Sequence, residues 1–160
     1  MNRLLRIGMA LAASAVSALA VSQGAGPPSP EAQAKSAIET RQGLYKVMAS
    51  QFGPIGGMLR NAPFDAAVVE RNSARIAVLA GMIPEMFAND TRKFTATKTA
   101  ALEGIWNSSA DFKGKADALV KAANDLNAAA KGGDKTATLA AAGAVGKACG
   151  SCHDNYRQKP

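Results

Sequence analysis

Four stretches of this chain repeat apolar residues at alternating intervals of three and four, and that rhythm leaves one fold class open. The first carries Ile38, Arg41, Tyr45, Met48, Phe52, Ile55 and Leu59 on one stripe. The second carries Val68, Val69, Ile76, Leu79 and Ile83. The third carries Leu102, Ile105, Ser109, Phe112, Ala116, Leu119, Ala123 and Leu126, and the fourth Leu139, Ala142, Val145, Cys149, Cys152 and Tyr156. Positions spaced this way share a face of an α-helix and of nothing else regular. Strand signals are absent: no run of alternating branched residues, no Asn-Gly hairpin. Four helices with one apolar face each predict an all-α domain, an antiparallel up-down-up-down four-helix bundle.

Local chemistry sets the expected helix ends. Ser29 precedes Pro30 and Glu31 as an N-cap, with proline tolerated in the first turn. Gly53, Pro54, Gly56 and Gly57 weaken the end of the first helix and predict a kink or irregularity. Asn61-Ala62-Pro63 is a turn, and the second helix starts at about Asp65 and ends at Pro84. Glu85 to Thr99 is polar, weakly periodic and reads as a long connection. Lys131-Gly132-Gly133 stops the third helix, and Asp134 caps the fourth, which runs to about Arg157.

The first 20 residues read differently. Arg3 and Arg6 precede Ile7 to Val21, almost all small or apolar, and Ala18-Leu19-Ala20 suits a signal peptidase. About 15 apolar residues fall short of the about 20 that span a bilayer, though an uncleaved anchor is the alternative. The expected organisation is a cleaved signal peptide over 1–20, a Gly/Pro/Ser linker over 21–30 and one domain over 31–160, exported to the periplasm with no membrane segment in the mature form. Of 19 basic residues two lie in the leader, so against 12 acidic ones the charge falls from +7 to +5. The remaining basic residues are scattered and not interleaved with aromatics, which argues against a nucleic-acid partner.

Two cysteines in an exported chain would ordinarily form a disulfide. Here Cys149-Gly150-Ser151-Cys152 is followed at once by His153, the only histidine, in the CxxCH pattern of covalent haem attachment. Two thiols three residues apart can add to the two vinyl groups along one porphyrin edge, and the next residue then projects its imidazole toward the iron. A redox CxxC pair, a disulfide, or a zinc site short of a fourth ligand are the competing readings. No paired carboxylates, nucleophile–base set or substrate pocket signature appears, so no enzyme is expected.

With one histidine, bis-histidine ligation within the chain is excluded. No methionine follows His153, so a methionine ligand would have to come from upstream. Met48 on the first stripe is the candidate, which would make the chain a low-spin electron carrier; an ordinary flexible core methionine is the simpler reading. Arg41 and Tyr45 precede Met48 on the same stripe. A guanidinium there needs an anion or acceptors, which a haem propionate would supply unless Arg41 snorkels to solvent at the bundle end. Tyr45, one turn on, would then lie over the ring, or simply fill the core.

The residues resemble the cytochromes c′ over the whole mature length. The likeness rests on Ile38-Glu39-Thr40-Arg41-Gln42 with Tyr45 and Met48-Ala49, on Ala62-Pro63-Phe64-Asp65-Ala66-Ala67, on Ile105-Trp106, and on Cys149 to Arg157 with its His153-Asp154-Asn155-Tyr156-Arg157 ending. The resemblance implies one covalent haem c with a five-coordinate, high-spin iron held by His153. It implies Tyr45 over the vacant face, Arg41 and Gln42 at the cofactor edge, Trp106 near the haem and Arg157 beside the histidine. It further implies binding of nitric oxide and carbon monoxide, resistance to oxygen, an electron-transfer role with an unidentified redox partner, and a homodimer through the first two helices. Asn89 to Thr99 departs from the family pattern.

Overall fold

The computed structural model describes residues 26–159. The leader and the first part of the linker lie outside the described residues. Six helices follow in order: α1 Pro30–Leu59, α2 Ala66–Gly81, α3 Ile83–Met86, α4 Gly104–Asn107, α5 Ser109–Lys131 and α6 Lys135–Tyr156. The four long ones form the antiparallel bundle. Each packs on the next in chain order, α2 on α5 and α5 on α6 most closely, and α6 closes the ring on α1.

The caps stand where side-chain chemistry puts them. Ser29 Oγ accepts from the Ala32 amide at 3.2 Å, Asp65 from Val68 at 3.0 Å, and Asp134 from Thr136 at 2.7 Å and Ala137 at 3.0 Å. Each satisfies a first-turn amide that has no helical acceptor. Past α5, Gly133 adopts φ +77°, the left-handed turn that reverses the chain into α6.

Three features depart from the sequence expectation. First, α1 runs unbroken through Pro54 to Leu59. Proline removes the donor to the Ser50 carbonyl, but Ser50 is exposed, so that oxygen need not stay without a partner. Asn72 of α2, 4% exposed, donates to the neighbouring Gln51 carbonyl at 2.9 Å. Beyond the proline the buried stripe moves from Ile55 to Met58, leaving Leu59 40% exposed. Second, α2 stops at Gly81, and Pro84 sits in the first turn of the one-turn helix α3. Third, the third stretch breaks at Ser108, φ −128° and ψ 49°, into α4 and α5. Asn107, Ser108 and Ser109 can bond their own backbone and so compete with the helix; Ser109 is exposed, not inward.

The core runs down the bundle axis through Ile55, Val69, Ile76, Ala80, Ala123, Leu126, Ala142 and Val145, all essentially inaccessible. Fully burying a side chain the size of Ile or Leu contributes about 1.5–3 kcal/mol. A second polar bridge ties α5 to α2: Asn127 donates to the Glu70 carbonyl at 2.7 Å and to Ser73 Oγ at 3.3 Å. Among the described residues no helix is long and apolar enough to cross a membrane.

Candidate haem site

The site lies at the end of the bundle where the α3–α4 connection meets the last turns of α6. Cys149 and Cys152 are both free, half-buried, and one helical turn apart, so they share a face. Both pack against the core, and His153 is exposed beside them. Burial pushes both thiols up, Cys152 further through its neighbour Cys149. The His153 imidazole is held below its ordinary value by burial and then by the Arg157 charge, with Asp154 opposing. It therefore stands neutral at physiological pH, the form that donates a lone pair to a metal. Among the described residues no group of three or more His, Cys, Asp or Glu side chains could hold a metal ion.

The α1 stripe faces this turn. Tyr45 is half-buried; burial raises its phenol, the Cys152 thiolate raises it further, and Arg41 opposes. Its hydroxyl has no hydrogen-bond partner among the described residues and lies within electrostatic reach of Cys152. Met48 lies one turn deeper, 7% exposed within the core cluster. Around Tyr45 runs an aromatic chain. Phe87 lies 6.5 Å from Tyr45, 5.9 Å from Trp106 and 5.0 Å from Phe112; Phe112 lies 5.2 Å from Tyr156, edge to face.

Arg41 is buried, 3% exposed, and burial lowers its pKa, with Tyr45 and Asp90 opposing. Its Nε donates to the Met86 carbonyl at 2.6 Å, Nη1 to Thr91 Oγ1 at 2.9 Å and Nη2 to the Asn89 carbonyl at 2.6 Å. The guanidinium lies 4.5 Å over the Phe87 ring and 5.6 Å from that of Trp106. It uses three of five N–H groups on neutral acceptors, and no carboxylate among the described residues pairs with it.

The other expected site residues divide. Gln42 is exposed and donates to the Lys98 carbonyl at 3.0 Å, tying α1 to the connection. Trp106 is half-buried, donates to the Phe87 carbonyl at 3.0 Å and carries the Arg92 guanidinium 5.7 Å above its ring. Arg157 caps α6 within electrostatic reach of His153 and forms an isolated bridge with Ala101. Arg92 is itself tied to Asp90 at 2.6 Å and to Asn107 at 2.7 Å. A cavity of about 420 Å³ opens beside Trp106, rimmed by Thr91, Arg92, Lys98 and Gln158. Sequence reasoning did not find Phe87, Asn89, Thr91 or Asp111. The first three fall in the aperiodic connection. Asp111 read only as an acid in the first turn of a helix.

The profile of the family described as Cytochrome C′ matches residues 36–157. The chain belongs to the cytochrome c′ family. It is 38% identical over 129 residues to "Cytochrome c-554" of Cereibacter sphaeroides, covering 79% of this chain and 84% of that one. It is 37% identical to the cytochrome c′ of Rubrivivax gelatinosus, covering 77% and 95%. Among solved structures it superposes with TM-score 0.69 and 34% identity on the nitric oxide complex of a point mutant of cytochrome c prime from Alcaligenes xylosoxidans, covering 79% and 97%. As a cytochrome c′ family member the chain is a c-type haem protein. Its donor set fits that group: two free, half-buried thiols on one helical face, a neutral imidazole next to them, and an unpaired buried cation across the bundle.

Proposed function

We propose that the chain binds nitric oxide and carbon monoxide at a five-coordinate, high-spin haem in the periplasm. In this reading Cys149 and Cys152 hold the haem by thioethers, His153 is its one protein ligand, and Arg41 and Gln42 line its edge with Trp106 and Arg157. When bound, the haem supplies an iron with one position open to a diatomic gas.

The observation that carries the reading is Tyr45: half-buried on the α1 stripe between Arg41 and Met48, packed against the core cluster, its hydroxyl unpartnered. A phenol so placed crowds the open side without offering a fixed hydrogen bond. Bound oxygen gains most from such a bond, so oxygen binds weakly, while nitric oxide binds ferrous haem strongly enough to displace the ring. The nitric oxide complex of the Alcaligenes relative supports this choice of ligand. Arg41 contributes a buried positive charge that no carboxylate contacts directly among the described residues, with two N–H groups left over for a propionate. The leader-like first 20 residues support export. Val47 on α1 and Val78 and Met82 near α2, 49%, 69% and 41% exposed, support a homodimer through these two helices.

An optical spectrum of the purified ferric and ferrous protein tests the reading. High-spin bands are expected. Low-spin bands that turn high-spin in Met48→Leu would instead make the protein an electron carrier with Met48 as sixth ligand.

A further inference from the structure

A histidine that binds a metal is usually aimed by a hydrogen bond to its second ring nitrogen. No side chain or backbone group among the described residues makes such a bond to His153. Its direction must therefore come from the helical turn that carries it, and that turn is the last of α6, where helices ordinarily fray.

Here the turn is held from three sides. The Arg157 amide donates to the His153 carbonyl at 3.2 Å, keeping it helical. The next backbone groups pair with the approach to α4: the Leu102 amide donates to the Tyr156 carbonyl at 3.0 Å and the Gln158 amide to the Ala100 carbonyl at 2.8 Å. Tyr156, three residues after His153 and four after Cys152, is 6% exposed. Its ring lies over Gly104, where a Cβ would stand 3.4 Å from Cε1, and edge-on to Phe112. Its hydroxyl reaches the rim and donates to Asp111 Oδ2 at 2.5 Å. Asp111 forms no ion pair with a basic side chain among the described residues. It sits in the first turn of α5, where the helix dipole favours a carboxylate.

We propose that Tyr156 and Asp111 are the positioning pair of the axial histidine: their hydrogen bond locks the last turn of α6 onto α5 and so fixes the direction in which His153 meets the iron. This rests on the reading of His153 as the iron ligand. The pair touches neither iron nor gas; it acts through the backbone of one helical turn. A charge-assisted phenol–carboxylate bond suits this, being short and directional.

The test is resonance Raman spectroscopy of the ferrous haem protein in Tyr156→Phe, Asp111→Asn and the double variant, with far-UV circular dichroism to show the fold intact. Asp111 lies at the surface, so Asp111→Asn leaves the core untouched. The iron–imidazole stretching band is expected to shift to lower frequency and broaden in each single variant, more in Tyr156→Phe, which removes the bond, than in Asp111→Asn, which keeps a neutral acceptor, while the double variant shifts no further than Tyr156→Phe. Haem staining stays at the wild-type level throughout. A band that is lost in His153→Ala yet unchanged in both single variants overturns the pairing alone. A band that survives His153→Ala overturns the ligand reading, and the role of the pair with it.

Discussion

The two walls facing the candidate haem site are built on opposite principles. The α6 wall is fixed by directional bonds: a capped C-terminus, two backbone pairings to the approach to α4, and the Tyr156–Asp111 bond. The α1 wall around Tyr45 and Met48 is held by contact alone, with the Tyr45 hydroxyl unbonded. At its mouth α1 becomes directional, where Arg41 and Gln42 tie the connection, and past Met48 it is bonded again, where Asn72 of α2 donates to the Gln51 carbonyl. A ligand donor needs a fixed direction, while a face that admits gas must yield. The difference teaches that one helical bundle can supply both, by placing its polar bonds on one side.

The largest expected effect breaks the fixed wall at its covalent points. A Cys149→Ala, Cys152→Ala double variant loses haem staining on denaturing gels entirely. Next, Arg41→Leu removes the polar mouth of the yielding wall and leaves the Met86 and Asn89 carbonyls without their donor. It costs about 2–4 kcal/mol in chemical denaturation, and loss of the positive charge lowers the haem reduction potential. Tyr45→Ala sharpens the contrast at the open side. Carbon monoxide affinity rises on the order of tenfold, equivalent to about 1.4 kcal/mol, and the ligand-free iron stays high-spin.

The smallest effects come from making the same change on both walls. Tyr156→Phe costs about 1 kcal/mol, because a hydrogen bond is lost; Tyr45→Phe stays within about 0.5 kcal/mol, because none is. The Tyr156 bond also carries a pH signature. The Asp111 carboxylate pushes the Tyr156 phenol up to about 12 from 10.0, so the folded state holds that proton more tightly than the unfolded chain. Its contribution is complete below pH 10 and fades as pH rises toward about 12. Burial raises Tyr45 in the same direction. Tyr156→Phe should therefore lose stability less steeply across this window than the wild type, measured by urea melts at successive pH values.

Much of the fold was legible because it is local. Ser29, Asp65 and Asp134 announce their caps within three residues, and the Cys149–His153 motif is complete within five. Arg41 was legible as a buried cation on an apolar stripe. What it bonds was not: two of its acceptors are backbone carbonyls, which every residue has, in a connection without periodicity. Pro54 misled because a proline breaks a helix only where the freed carbonyl cannot find water or a donor, and Ser50 lies exposed. Ser109 misled because three polar residues in a row outweighed the stripe they interrupted. Asp111 was invisible because its partner lies 45 residues away, and nothing near it in the chain marks that meeting.

The bonds of Arg41 span 45, 48 and 50 residues, and this separation has a kinetic consequence. Contacts between distant segments must absorb the entropy of closing a long loop before they contribute anything. The clasp ties α1 to a connection that has no helical rhythm of its own, so it is expected to close after the helices have collapsed. Loss of an interaction made after the rate-limiting step leaves folding speed nearly unchanged and appears in the unfolding limb. In a chevron plot Arg41→Leu should accelerate unfolding while barely altering refolding. The clasp would then act as a latch on the lifetime of the folded state, with little part in how quickly the chain reaches it.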